Sequence, residues 1–134
     1  MGARDFREIV AWQLSYQLRC EVVAFTANGS PARDFRYRDQ IRDSSASTTR
    51  NIAEGFGRHR PGEFARFCEF AIGSLNETQD GLIDGRDRGY LEDRLFSRLW
   101  NLSKAAERAT RNLMFYLKSQ NPGASVRTSP KCEC

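Results

Sequence analysis

Residues 92–118, "EDRLFSRLWNLSKAAERATRNLMFYLK", carry the strongest periodic signal in the chain. The stretch contains neither glycine nor proline, so nothing in it interrupts a helix. Its apolar residues recur at alternating spacings of four and three, the pattern of a helix packed in a bundle or coiled coil. They are Leu95, Leu99, Leu102, Ala106, Ala109, Leu113 and Tyr116. The stretch therefore predicts a long helix with one face in a bundle core.

The first predicted helix, residues 5–27, has two apolar stripes rather than one. Val10 and Leu18 belong to one stripe, and Trp12 and Tyr16 belong to the other. A helix at the edge of an isolated bundle needs only one such stripe to face the core. The second stripe therefore predicts a contact with another copy of the chain.

Two more predicted helices lie between these. Residues 35–53 include the polar run "SSASTT", but its small side chains keep helical phase with the apolar residues on either side. The next helix is predicted to begin at Pro61, because proline suits a first helical turn. Glycines at positions 73, 81 and 85 weaken this helix progressively, so it is predicted to fray near "DGRDRGYL".

The domain organisation follows from these four helices. Their short connections and the lack of a strand pattern predict an all-α fold, an up-down-up-down antiparallel four-helix bundle over residues 1–118. Residues 119–134 lack large apolar residues and predict a disordered C-terminal tail. No apolar run approaches the roughly 18 residues of a membrane span, and charge interrupts the amino terminus too early for a signal peptide. We therefore expect a cytoplasmic protein that makes no membrane contact.

Few residues could support catalysis or metal binding. The chain has one histidine, His59, which excludes a ferritin-like di-iron site built from two Glu-x-x-His motifs. Cys20 and Cys68 fall on apolar stripes and are expected to be buried thiols. Cys132 and Cys134 supply only half of a tetrahedral zinc site. The sequence therefore predicts no enzyme activity, no metal and no cofactor.

Arginine dominates the positive charge. The 21 basic residues include only three lysines, against 17 acids, and the net charge is +4. Arginine forms two parallel hydrogen bonds to a phosphate and stacks on bases, so the high ratio of arginine to lysine suits a nucleic-acid partner. Codon bias in a GC-rich genome explains this overall ratio equally well. Residues 33–60 carry seven arginines against four acids, so most of the net charge is concentrated there.

The segment "RNIAEGFGRHRPGEFARF", residues 50–67, connects the second and third predicted helices. "GFGRHR" lacks the third glycine of a dinucleotide-binding loop and follows a helix rather than a strand, which excludes that site. Gly55 and Gly57 are expected to adopt positive φ angles that end the helix, while Asn51 and Glu54 fix the turn with hydrogen bonds. The candidate partners of Glu54 are Arg50, Arg58 and a residue across a subunit interface.

Four residues form the predicted nucleic-acid-binding set. Arg58, His59 and Arg60 lie beside the amino terminus of a helix, whose unpaired N–H groups favour an anion. Arg42 is added because no acid lies three or four residues after it in the predicted helix. In a ring of identical subunits, these small local charges would be repeated around the axis.

Several stretches together resemble one protein family. They are "VAWQ" in the first helix, "QIRDSSAS" and "NIAEGFGR" in the second, "FARFCEFAIGSLNE" in the third and "GYL" before the fourth. Over residues 6–117 they resemble the four-helix bundle proteins, also called 23S rRNA intervening-sequence proteins. The chain departs from the family pattern at Asp43, where a basic residue is common, and at Gly81 and Gly85. The resemblance implies a bacterial four-helix bundle and brings no catalytic residue.

The family includes the accessory variability determinant of diversity-generating retroelements. That resemblance implies a homo-oligomer, with a ring-shaped homopentamer as one form, and nucleic acid or a reverse transcriptase as partner. Our main hypothesis is a non-enzymatic oligomer that binds RNA or DNA phosphates. The alternatives are a protein-interaction scaffold, such as a reverse-transcriptase accessory protein without nucleic-acid contact, and a thiol or metal enzyme that uses Cys68, His59 or the tail.

Overall fold

The computed structural model describes residues 2–120, and all regular structure in that range is helical. The predicted all-α helical bundle is confirmed in this coarse form. The predicted tail, apart from Ser119 and Gln120, lies outside the described residues. Within the described range, no helix combines the length and apolar character needed to span a membrane. The elements are a 3-10 turn at Phe6–Glu8 and helices α1 (Val10–Phe25), α2 (Gly29–Arg33), α3 (Phe35–Gly57), α4 (Pro61–Asp87) and α5 (Asp93–Ser119).

The first predicted helix is divided into two parts. The Asp5 carboxylate accepts a hydrogen bond of 2.8 Å from the Arg7 N–H, which starts the 3-10 turn. Ile9 then adopts an extended conformation, φ −81° and ψ 123°, so α1 begins only at Val10. The sequence also missed α2, where Pro31 lies in the first helical turn and needs no N–H partner.

The polar run in α3 is helical, as predicted, and two of its hydroxyls, those of Ser44 and Ser47, contact α4. Ser44 Oγ lies 2.8 Å from Thr78 Oγ1, and Ser74 Oγ donates to Ser47 Oγ at 2.9 Å. Thr48 Oγ1 donates to the Ser44 carbonyl at 3.1 Å. Because these hydroxyls bond one another or nearby carbonyls, the two helices bury polar groups without losing hydrogen bonds.

Glycine permits close contact at the far end of the same helix pair. A Cβ at Gly81 would lie 3.0 Å from Ile41 Cδ1, and one at Gly85 would collide with the Tyr37 hydroxyl. Tyr37 Oη donates to the Gly81 carbonyl at 2.8 Å. The helix ends at Asp87, within the predicted stretch "DGRDRGYL", but Gly81 and Gly85 themselves lie inside regular helix. Tertiary packing against α3 outweighs the low helix propensity of glycine.

The predicted role of Gly55 and Gly57 in the turn also needs correction. Both are helical residues of α3, and the positive φ of this segment, 60°, belongs to His59. A Cβ at Gly55 would lie 2.7 Å from Phe64 Cδ1 and 2.8 Å from Phe67 Cβ. Gly55 is therefore a close-approach residue between α3 and α4, not a left-handed cap.

Helix α5 forms as predicted, but its buried face is rotated from the apolar stripe. Leu99 and Ala106 are the members of the stripe that are buried; its other members are partly buried or exposed. Ser103 and Thr110 share the buried face, and their hydroxyls donate to the carbonyls of Trp100 and Ala106. A search for apolar periodicity does not identify Ser and Thr residues as core residues when their hydroxyls hydrogen-bond to carbonyls of their own helix.

The packing at Gly55 leads to a paired stability test. Gly55→Ala should lower the free energy of unfolding by about 1–3 kcal/mol, because the new methyl group overpacks the contact with Phe64 and Phe67. Gly73→Ala should raise it by up to about 1 kcal/mol, since Gly73 is helical and exposed and its Cβ would meet no atom within 4 Å. Urea denaturation followed by circular dichroism measures both. Equal effects of the two substitutions would contradict the close-approach assignment.

Candidate nucleic-acid interface

A three-residue loop, Arg58 to Arg60, joins α3 to α4. The Arg58 and His59 N–H groups donate to the carbonyls of Gly55 and Phe56, at 3.2 and 3.3 Å, which closes the end of α3. His59 adopts the left-handed conformation, uncommon for a residue other than glycine. Pro61 is the first residue of α4, as predicted, so the loop is held by a helix on each side.

One carboxylate holds both loop arginines. Glu63 accepts hydrogen bonds from Arg58 Nη1 at 3.4 Å and from Arg60 Nη1 at 3.1 Å. Arg58 also pairs with Glu54, with its Nη2 atom 3.0 Å from Oε2, so the partner of Glu54 is Arg58. All four side chains are at least one-third exposed, and such pairs contribute no more than about 1 kcal/mol each. A phosphate group can therefore compete for these guanidinium groups.

One side of the loop forms a surface that we call the outer cleft, a space of about 330 Å³ lined by Arg58, Glu63, Arg66, Phe67 and Phe70. The Arg58 guanidinium lies 5.1 Å from the centre of the Phe67 ring, and that of Arg66 lies 5.6 Å from the Phe70 ring. The two rings meet edge to face at 5.5 Å. The cleft thus combines cations with aromatic faces, the two groups that contact nucleic acids most readily.

The other side of the loop opens into a larger space of about 410 Å³, which we call the end cleft. Arg4 and Arg60 supply its cations, and Phe56, Phe64 and Tyr116 supply aromatic rings. Among residues 2–120, no carboxylate lines this cleft. Its lining comes from the amino-terminal segment, α3, the loop, α4 and α5, so only the folded chain assembles it.

Arg42 lies apart from the other three predicted site residues. It precedes Arg58 by 16 positions in α3, roughly 24 Å at 1.5 Å per residue. Its Nε atom donates to Thr26 Oγ1 at 2.8 Å, and Nη2 donates to the Val23 carbonyl at 3.4 Å. Arg42 therefore stabilises the carboxyl end of α1, where a cation suits the helix dipole. Its part in nucleic-acid binding stays a prediction.

The sequence analysis missed Arg4 and Arg66 as candidate site residues. Arg66 lies one helical turn after Glu63 and Gly62 on α4, so helical spacing alone could have added it to the set. Arg4 is distant from the loop in sequence, and no local pattern connects the two. Asn51 does not bond the turn; its Nδ2 atom donates to the Ser47 carbonyl at 2.9 Å, inside α3.

The two cysteines in the described range differ in their exposure to solvent. Cys68 is fully buried, as expected, and burial raises the pKa of its thiol to about 12, which makes it a poor nucleophile. Cys20 is exposed, so the expectation of a second buried thiol is wrong. Among residues 2–120, no cluster of three or more His, Cys, Asp or Glu side chains could hold a metal ion. Cys132 and Cys134 lie outside the described residues.

Comparisons with known proteins agree with this helical architecture. The family model for 23S rRNA-intervening sequence proteins matches residues 7–112. A crystal structure of a protein with unknown function from the S23 ribosomal protein family of Bacteroides thetaiotaomicron is 20% identical. It superposes with a TM-score of 0.71, covering 78% of this chain and 98% of that chain, a likeness of fold. No protein with a curated description matches.

The backbone of His59 yields a prediction that separates strain from side-chain loss. His59→Gly should be more stable than His59→Ala by about 1 kcal/mol, because alanine must bear the left-handed conformation that glycine adopts freely. Both variants lose the imidazole, so their difference reports the backbone alone. Thermal melting measures the difference in stability between the two variants. An alanine variant at least as stable as the glycine variant would show that the backbone at position 59 is not strained.

Proposed function

The chain belongs to the 23S rRNA-intervening sequence protein family, and on that premise we propose a non-enzymatic homo-oligomer that binds RNA or DNA through backbone phosphates. One observation carries the proposal: the two clefts beside the loop are lined by four arginines and, among residues 2–120, a single carboxylate. The arginines are Arg4, Arg58, Arg60 and Arg66, and the carboxylate is Glu63. A cytoplasmic location stays a prediction of the sequence.

The proposed scaffold is an up-down-up-down antiparallel four-helix bundle of α1, α3, α4 and α5. Residue pairings support this order, because residues near the start of one helix meet residues near the end of its neighbour. In α3 and α4, for example, Ser44 meets Thr78, which is late in α4, whereas Gly55 near the end of α3 lies against Phe64 near the start of α4. The corresponding pairs are Arg19 with Thr49 and Thr26 with Arg42 for α1 and α3, Glu69 with Lys118 and Gln79 with Glu107 for α4 and α5, and Glu21 with Arg98 for α1 and α5.

The amino terminus of α4 adds to the phosphate site. Arg60 occupies the position before the helix, and no side chain there caps the first turn. The free N–H groups of that turn and the positive end of the helix dipole attract an anion. Glu63 occupies the same turn and meets part of this demand. A phosphate that displaces Glu63 from either arginine would gain a guanidinium and a helix terminus together.

Self-association rests on a separate surface, which we call the α1 stripe: Trp12, Tyr16, Cys20 and Val23. The Trp12 and Tyr16 rings stack at 4.9 Å, and Tyr16 and Val23 are 43% and 41% exposed. Cys20 is exposed between them. A row of neighbouring apolar side chains on one helix is costly to leave in water, and a second copy of the chain would cover it.

One observation favours the protein-scaffold alternative, in which the chain acts through proteins such as a reverse transcriptase. Glu54 and Glu63 together balance the charges of Arg58 and Arg60, so this group of four side chains has no net charge. The phosphate proposal therefore depends on Arg4 and Arg66 as well as on the loop. Nucleic-acid binding by the purified protein distinguishes the two functions.

The phosphate proposal predicts a loss of affinity in one double variant. Replacing Arg58 and Arg60 by Gln should weaken binding of RNA and DNA roughly evenly across sequences. The slope of log affinity against log salt concentration should fall by about 0.7–0.9 for each lost phosphate contact. Fluorescence anisotropy at several salt concentrations measures both quantities.

A charge-matched control accompanies that measurement. Arg94 and Arg108 are exposed on α5 and form no ion pair with another described residue, so their double change to Gln removes the same charge elsewhere. This control should retain most of the affinity and salt dependence. Equal behaviour of the two double variants, or no nucleic-acid binding by the parent protein, would favour the protein scaffold.

The α1 stripe predicts a concentration-dependent oligomer. Replacing Tyr16 and Val23 together by Glu should dissociate it, because two carboxylates would have to be buried in the subunit contact. Gln17→Glu adds charge to an exposed position of α1 outside the stripe and should leave assembly intact. Light scattering at micromolar concentration measures the mass, and a monomer of 15.3 kDa for the parent chain would refute the oligomer.

A further inference from the structure

The end cleft is lined by aromatic rings, which phosphate binding alone does not require. Its interior is formed largely by aromatic and apolar side chains, whereas its cations are two arginines. The Phe56 ring lies 6.2 Å from that of Phe64, nearly perpendicular to it, and 6.3 Å from the imidazole of His59. Tyr116 contributes a ring that is 42% exposed. A phosphate anchor needs donors and positive charge, so these rings indicate a flat, unsaturated ligand.

The cations of the cleft complement that aromatic interior. Arg60 shares the Glu63 carboxylate with Arg58, and the Arg4 guanidinium forms no ion pair with any residue in the described range. None of the described residues that line the cleft is a carboxylate, and the nearby Glu63 reaches it only through its ion pair with Arg60. A ligand that joins a flat ring to a negatively charged group on each side would satisfy both features. An unpaired nucleotide within a strand has this composition.

The size of the cleft suits one such unit. Its volume of about 410 Å³ falls within the range of roughly 300–1,000 Å³ typical of small-ligand sites. A base inside a duplex is stacked and paired, so it would have to leave the helix before entering. A cleft that takes one base would therefore favour single strands over duplexes.

The left-handed backbone of His59 is a further feature of the same site. Its φ of 60° carries a conformational cost, and the residue lines the cleft beside Arg60. The conformation places the imidazole next to the Phe56 ring. An imidazole can stack on the face of a base and can hydrogen-bond to its edge.

We propose that the end cleft binds one unpaired base of single-stranded RNA or DNA, while Arg4 and Arg60 contact the flanking phosphates. This proposal rests on the proposed function and adds that the chain prefers single strands and contacts their bases. RNA and DNA share the base and phosphate chemistry that the cleft recognises.

Abasic strands separate this inference from phosphate binding. Fluorescence anisotropy compares labelled single-stranded RNA, single-stranded DNA, a DNA strand of equal length with abasic sites throughout, and duplex DNA. The abasic strand keeps the phosphates and loses the stacking surfaces, so its affinity should fall about 5- to 100-fold below that of the intact strand. Duplex DNA should also bind more weakly than the intact strand. The RNA and DNA arms identify which polymer binds more tightly.

A neighbouring pair of aromatic residues provides the matched variants. Tyr116→Ala should reduce the ratio between intact and abasic affinity, because it removes one stacking surface from the cleft. Phe115→Ala removes a ring that is 58% exposed and lies outside the cleft lining, so it should keep the ratio of the parent protein. The parent comparison is informative even if a variant fails to fold.

Each remaining outcome bears on one proposal or both. Equal binding of intact and abasic strands would overturn the base-binding inference and leave the phosphate proposal standing. Duplex binding as tight as single-strand binding would overturn the inference as well. No binding of any strand would overturn both proposals and favour the protein scaffold.

Discussion

The close approach of α3 and α4 is the constraint on which the structure around the loop depends. Gly55 admits the rings of Phe64 and Phe67, and Gly85 admits the hydroxyl of Tyr37. Between these ends, paired hydroxyls replace the large apolar side chains that would separate the helices. Because the backbones are near each other, a loop of three residues suffices to connect them. That short loop brings two arginines and a carboxylate to one helix terminus.

The electrostatics of this end of the molecule follow from one shared carboxylate. Glu63 binds Arg58 on one side and Arg60 on the other, so it lies between the outer cleft and the end cleft. Its interactions are exposed and individually weak, which keeps both guanidinium groups accessible to a stronger anion. Arg4 and Arg66 then make the net charge of the two clefts positive, because each adds a cation without an ion-pair partner among residues 2–120.

Helix α1 shows how apolar periodicity relates to burial. Of its two predicted stripes, one contributes Leu18 and Val22 to the core, whereas much of the other, including Tyr16 and Val23, remains exposed. Helix α5 shows the opposite limitation, since Ser103 and Thr110 occupy its core-facing positions. Periodicity identifies a helix reliably, but the buried face depends on which neighbour packs against it.

Local sequence patterns correctly predicted the helical class, the long helix α5, the helical character of "SSASTT" and the start of α4 at Pro61. These follow from local propensity and spacing, which act over a few residues. The packing of the helices established the rest: Gly55 serves close packing, Arg42 stabilises the end of α1, and Arg4 joins Arg60 in one cleft. Those relations connect residues on different elements, and no local pattern encodes which elements meet. The left-handed conformation belongs to His59, whereas Gly55 stays inside the helix, where it packs against Phe64 and Phe67.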